Sequence, residues 1–250
     1  MKAEIGLEYI NNYGDEIIIK DIKNVNNVTI YFKEYDFTKK CKERDLMSSK
    51  CPYSKSVYKI GYLGEDFYNY KGISGLDAYI RWRNMLKRCY GNFKGHECYE
   101  KVTVCKQWHN FTIFYKWYKE NYYEIKGCVM CLDKDIKHKN SFIYSPETCM
   151  FVPMSINSIF EHCKKEKCKN RNDLPLGVFW IEVDNIYGCR CRIRNNEHKW
   201  LGRSNNVIEL FNRYAEEKER VIKEEVEKYR NQMPKEVIDV LLSYKFEVND

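Results

Sequence analysis

The chain has 250 residues, 44% of them hydrophobic and 15% aromatic, which excludes wholesale disorder because real cores can be built. Its formal net charge of +7 is a mild basic excess that admits a nucleic-acid partner, and no stretch approaches the roughly 20 apolar residues of a membrane span. The start, "MKAEIGLEYINNYGDE", lacks the basic and apolar runs of a secretory leader, so its 12 Cys are expected as thiols in the cytoplasm, and clustered ones as metal ligands.

Residues 1–70 read as a small β-rich domain. The runs "DEIIIKDI", "NNVTIYFKEY" and "FTKKCKERDL" are strand-like and parted by Asn-rich turns, enough for a small barrel or sheet. "YKIGYLGEDFYNYKG" reads as a further hairpin. The period then changes: Tyr79, Trp82, Leu86 and Cys89 recur at helical spacing, and so do Trp108, Phe111, Tyr115 and Tyr118. Residues 132–162 read as strand, loop, strand and helix. The polar, basic stretch "CKKEKCKNRNDLP" ends in Pro175 and reads as a linker. Three strands follow, "LGVFWIEV", "YGCRCRIR" and "HKWLG", then a long helix over 205–230 with Leu210, Phe211, Tyr214, Val221 and Ile222 on one side. "MPKEVIDVLLSYKFEV" closes as a short helix and a tail. The expected class is multi-domain α+β, divided into 1–70, 71–168, 174–232 and a tail at 233–250.

In "YGCRCRIRN" (187–195), Arg190, Arg192 and Arg194 alternate with Cys189, Cys191 and Ile193. Successive side chains of a strand point to opposite faces, so one face is apolar and the other a row of guanidinium groups. The following helix is expected to cover the apolar face. A three-stranded ribbon can enter the major groove of DNA, and Trp180, Trp200 and Arg203 are candidates for the same surface. The plainer alternative is a solvated charged face on an ordinary unit of strands and a helix.

Gly-Val-x-Trp, an Arg-rich middle strand, an aromatic-Leu-Gly turn and then a helix together resemble the Apetala-type DNA-binding domain of plant ethylene-response factors and its phage and mobile-element versions. The resemblance covers about 174–230 and implies double-stranded DNA as partner, read by Arg190, Arg192, Arg194 and Trp200. "LDKDIKHKNSFIYSPETCMFVPMSIN" (132–157) resembles the ββα core of HNH endonucleases and homing endonucleases carried by phages. "YIRWRNMLKRCY…YEKVTVCKQWHNFTIFYKWY" resembles the segment that precedes that core.

In such a site a His is the general base, and an Asp with a helix Asn or His holds one divalent ion such as Mg. By match, Asp133 and Asn157 take the ligand positions, with Lys134 at the base and Thr148 at its orienter; Asp135 adjoins them. Lys134 between two carboxylates is a poor base. His138 and His162 are neighbours with no spacing that requires them. Asp133, Lys134 and Asp135 also read as a surface charge cluster, and an HNH-like scaffold with a degenerate or altered site is the expectation.

Cys128 and Cys131 precede this core, and Cys163 and Cys168 follow its helix. Paired cysteines flanking an HNH core imply a structural zinc. A second cluster is Cys89, His96, Cys98 and Cys105, and the alternative for both is buried thiols. Trp108, Phe111, Phe114 and Trp117 are assigned to a core. Three functions follow: a sequence-selective DNA-binding protein of phage type, in the host cytoplasm; an active metal-dependent DNA endonuclease; or a phage protein that binds a host defence protein.

Overall fold

A computed structural model of the chain describes residues 2–65, 73–91, 99–161, 174–194 and 197–248, and it is mixed α+β. Its packing separates into two units, Met1–Asn92 with Val104–Tyr118, and Phe93–Thr103 with Lys119–Asp250. Position 70 falls inside the first of these units, and 168 and 232 fall inside the second. Among the described residues no helix is long and apolar enough to cross a membrane.

In the first unit, β1 (Glu8–Ile10), β2 (Glu16–Asn24), β3 (Asn27–Phe32) and β4 (Phe37–Cys41) form an antiparallel sheet in the order β1-β2-β3-β4. Alternation sends Ile17, Ile19, Val28, Ile30 and Phe32 to one face, where Leu46 and Cys51 complete a buried core. The sheet is open, not a barrel. Four short strands are too few to wrap round, so β1 and β4 remain outer strands. Of the hairpin expected at 58–72, the described part opens with a tight reversal. Tyr58 and Lys59 take positive φ of 52° and 59°, and a single bridge joins Val57 to Gly61. Gly61 lies against α1 (Ile73–Tyr90), where a Cβ would come within 2.5 Å of Leu86. Residues 66–72 of that stretch lie outside the described ones.

The short strand β5 (Thr103–Val104) precedes α2 (Phe111–Asn121). Trp108 sits in a 3-10 turn just before α2 and accepts, through its carbonyl, the Nε1–H of Trp82 at 2.6 Å. Trp82 and Phe111 rings lie 5.4 Å apart, Trp108 and Trp117 rings 4.6 Å. Trp108, Phe111, Phe114 and Trp117 are all buried, so this is a core and not a base-stacking row.

In the second unit, β6 (Met130–Asp133) pairs antiparallel with β8 (Met150–Pro153), with β7 (Ile143–Tyr144) between them in sequence, and β8 runs into α3 (Met154–Glu161). After it, β9 (Val178–Ile181), β10 (Ile186–Arg194) and β11 (Glu197–Ser204) form an antiparallel sheet with β10 in the centre. α4 (Val207–Tyr229) covers one face. Its N-cap, Asn206, accepts the N–H groups of Ile208 and Glu209 at 3.0 and 3.1 Å.

The same helix grips α3. Lys218, only 1% exposed, donates from Nζ to the carbonyl of Ile159 at 2.9 Å. That carbonyl lies in the last turn of α3, where backbone acceptors have no helical partner and the helix end is negative. α5 (Lys235–Ser243) follows, and the tail beyond it packs Tyr244 on Phe160 at 4.9 Å and Phe246 on Tyr214 at 6.1 Å.

Candidate nucleic-acid interface

The strand β10 divides its side chains as alternation requires. Cys189 and Cys191 are fully buried under α4, and the Cys189 thiol donates to the Leu210 carbonyl at 3.3 Å. Burial pushes that thiol up to about 11. Arg190 is exposed and Arg192 half-buried on the other face. Arg194 ends the strand, and its side chain lies outside the described residues.

The strand register adds neighbours to this row. Arg190 lies opposite Trp200, Arg192 opposite His198, and Gly188 opposite both Phe179 and Arg203. The Arg190 guanidinium sits 5.2 Å over the Phe179 ring. Trp200 is 49% exposed, and its ring lies 6.1 Å from Phe179 with Arg203 5.9 Å above it. It can lie flat because position 188 has no side chain. A Cβ there would stand 2.7 Å from both Trp200 Cη2 and Ile181 Cδ1. Arg203 is aimed by a 2.6 Å ion pair with Asp184.

Trp180 is not in this group. It faces Tyr187 across the sheet, two residues from buried Val178, and so belongs to the helix side, where its ring meets Tyr187 edge-on at 4.8 Å. The aromatic-Leu-Gly motif is a bulge inside β11, not a turn. Cys189 pairs with Gly202 but Arg190 with Trp200, leaving Leu201 as the extra residue. Gly202 takes φ of 108°, and Arg213 of α4 donates to the Leu201 carbonyl at 3.1 Å, so the bulge is tied to the helix. Phe179, Ile181 and Gly188 were missed by the sequence reading. An isolated Gly inside a strand pattern is the signal of a close approach.

The β6–β8–α3 segment has the expected order of strand, strand and helix. Asp133 closes one end of the ladder, opposite Met150, and α3 starts from the other end after Pro153. Asp133 Oδ1 accepts the N–H groups of Asp135 and Ile136, both at 2.8 Å. Lys134 is buried. Its Nζ donates to Asp135 at 2.7 Å and to the Ser141 carbonyl, and lies 5.9 Å over Tyr144. Its amine is thus committed as a donor to two oxygens of the surrounding loop. Thr148 accepts the Ser145 N–H at 3.1 Å and donates to the Ile143 carbonyl at 2.8 Å, so it caps a turn. Asn157 is half-buried on α3, and His138 is exposed on the loop. His162 lies outside the described residues.

Among the described residues no three His, Cys, Asp or Glu side chains are placed to hold a metal ion. Of the expected ligands, Asp133 spends Oδ1 on loop N–H groups and Asn157 lies on α3, while the adjoining Asp135 pairs with Lys134. Cys128, just before β6, and Cys131, within it, are half-buried thiols. Cys163 and Cys168 lie outside the described residues, as do His96 and Cys98 of the second cluster; Cys89 and Cys105 are half-buried thiols. Compared with known proteins, the chain matches no family model, no curated protein and no solved structure, so any function must be argued from this geometry.

Proposed function

We propose that the chain is a sequence-selective double-stranded DNA-binding protein that docks by the open face of the β9–β10–β11 sheet. One observation carries the reading: the central strand buries both of its cysteines under α4 and turns Arg190 and Arg192 outward beside an exposed Trp200. Arginines about 7 Å apart along a strand can follow a groove, one reaching a guanine edge and others phosphates. The β6–β8–α3 segment then acts as a scaffold related to HNH endonucleases without a working nuclease centre, since Lys134 and Thr148 are committed to structure.

The proposal extends to a structural zinc on Cys128, Cys131, Cys163 and Cys168. Near-stoichiometric zinc in protein purified without chelator is expected, and a metal-free folded preparation overturns that part. An electrophoretic shift on random-sequence duplex DNA, followed by selection of the bound pool, tests the main reading. A recurring motif in the selected pool is expected. Unchanged binding by a folded protein with Arg190, Arg192 and Arg194 all changed to Ala overturns it. Incubation with supercoiled plasmid and Mg²⁺ or Mn²⁺ is expected to leave the plasmid uncut.

A further inference from the structure

The first unit carries a groove of about 680 Å³ lined by Asn26, Asn27, Lys39–Lys42, Asp45, Ser48 and Ser49. Its position follows from the register. Lys39 and Cys41 lie opposite buried Ile30 and Val28, while Lys40 lies opposite Thr29 on the other face, and Lys42 continues the extended backbone. A groove touching four consecutive residues of alternating direction lies along the strand's edge, between its two faces. β4 is an outer strand, hydrogen-bonded to β3 alone among the described strands. An outer edge presents both N–H and C=O groups.

We propose that this edge is a docking site for an extended acidic segment of a partner polypeptide, which adds to the sheet as a fifth strand. Lys40 and the following Lys42 are exposed and outnumber Asp45 in the groove, so carboxylates alternating along one face of the added strand meet complementary charge. The Lys39 Nζ donates to the Lys50 carbonyl at 3.2 Å, which holds the groove's far wall against the strand. A second copy of β4 is disfavoured, because it would set lysine against lysine. A nucleic-acid strand would satisfy the lysines but has no regular row of N–H donors for the edge carbonyls.

The test uses the full chain and labelled peptides of about nine residues that alternate Glu with Val. Fluorescence anisotropy compares this peptide with a Lys-for-Glu version, with a version N-methylated along its backbone, and with a mixed-sequence single-stranded oligonucleotide. The Glu peptide is expected to bind at least about tenfold more tightly than either altered peptide. Hydrogen exchange should then show new protection at Phe37–Cys41. The exposed pair Lys40→Glu and Lys42→Glu should reverse the preference toward the Lys peptide. Equal binding of the N-methylated peptide reduces the site to charge attraction and overturns strand addition. Protection at 37–41 by the oligonucleotide instead makes nucleic acid the occupant, and no binding by any peptide removes the site.

Discussion

Trp200 depends on what Gly188 lacks. Gly188→Ala places a Cβ against the end of the indole ring and of Ile181, both of which can swing aside, so the fold should persist while the aromatic platform is displaced. The expected result is a loss of about tenfold in DNA affinity, some 1.4 kcal/mol, with a melting temperature close to the parent's. The arginines should separate by role. Arg192→Ala should lower affinity mainly for the selected site, by about 1–3 kcal/mol, whereas Arg190→Ala should weaken all sequences and reduce the salt slope by about one unit. Equal effects of the two on specific and random DNA would sink that division. At this scale the sequence was informative where period two governed: both buried cysteines and both described arginines lie where alternation puts them. Trp180 was misplaced because its side of the sheet depends on register with β10, which spacing within β9 does not reveal. Lys134 looked like a surface charge, since its burial depends on the Ser141 carbonyl brought back by a loop. Lys134→Met should therefore cost about 2 kcal/mol of stability and leave DNA affinity unchanged.

Among the elements, α4 does most to hold the proposed interface in shape, and it starts from one cap. Asn206→Ala removes the acceptor of two backbone N–H groups and should destabilise the second unit by about 1 kcal/mol, measured by chemical denaturation; no change would mean that the cap is dispensable. Helices were the most legible elements, because apolar residues repeat every three to four positions over many turns. Short strands were less so. β1 has only three residues and gives no pattern, and it exists through its pairing with β2. Of the stretch expected as a hairpin at 58–72, only 58–65 is described, and there Gly61 closes a tight reversal where an added Cβ would meet Trp82 and Leu86. The Trp200-Leu201-Gly202 bulge reads in sequence as a turn, since glycine at positive φ serves both.

At the scale of the whole molecule, acid should act through a buried carboxylate. Glu217 on α4 accepts from Arg220 at 2.5 Å and from Lys199 of β11 at 2.7 Å. The Arg220 hydrogen bond holds its carboxyl below the ordinary carboxylate range against the opposing effect of burial, and Lys199 adds to it. The stabilisation is therefore complete above the ordinary carboxylate range and is lost as pH falls through the lower, folded value. Glu217→Gln should lower the melting temperature at pH 7, and the gap to the parent should close below about pH 4. A gap that persists there would place the effect in packing instead of charge. The linker expected before Pro175 lies outside the described residues up to Leu174, and Lys218 joins α3 to α4 across it through a contact 59 residues apart in sequence.

That joining continues into the tail, with a consequence for synthesis. Tyr244 and Phe246 pack on Phe160 of α3 and Tyr214 of α4, so part of the second unit's core leaves the ribosome after everything it covers. While those residues remain in the exit tunnel, the backs of α3 and α4 stay wet and the arginine-bearing sheet rests on an unfinished support. Nascent chains should gain native protease resistance late and in one step. A stop codon at 244 should then give a product cleared by quality control despite an intact set of arginines.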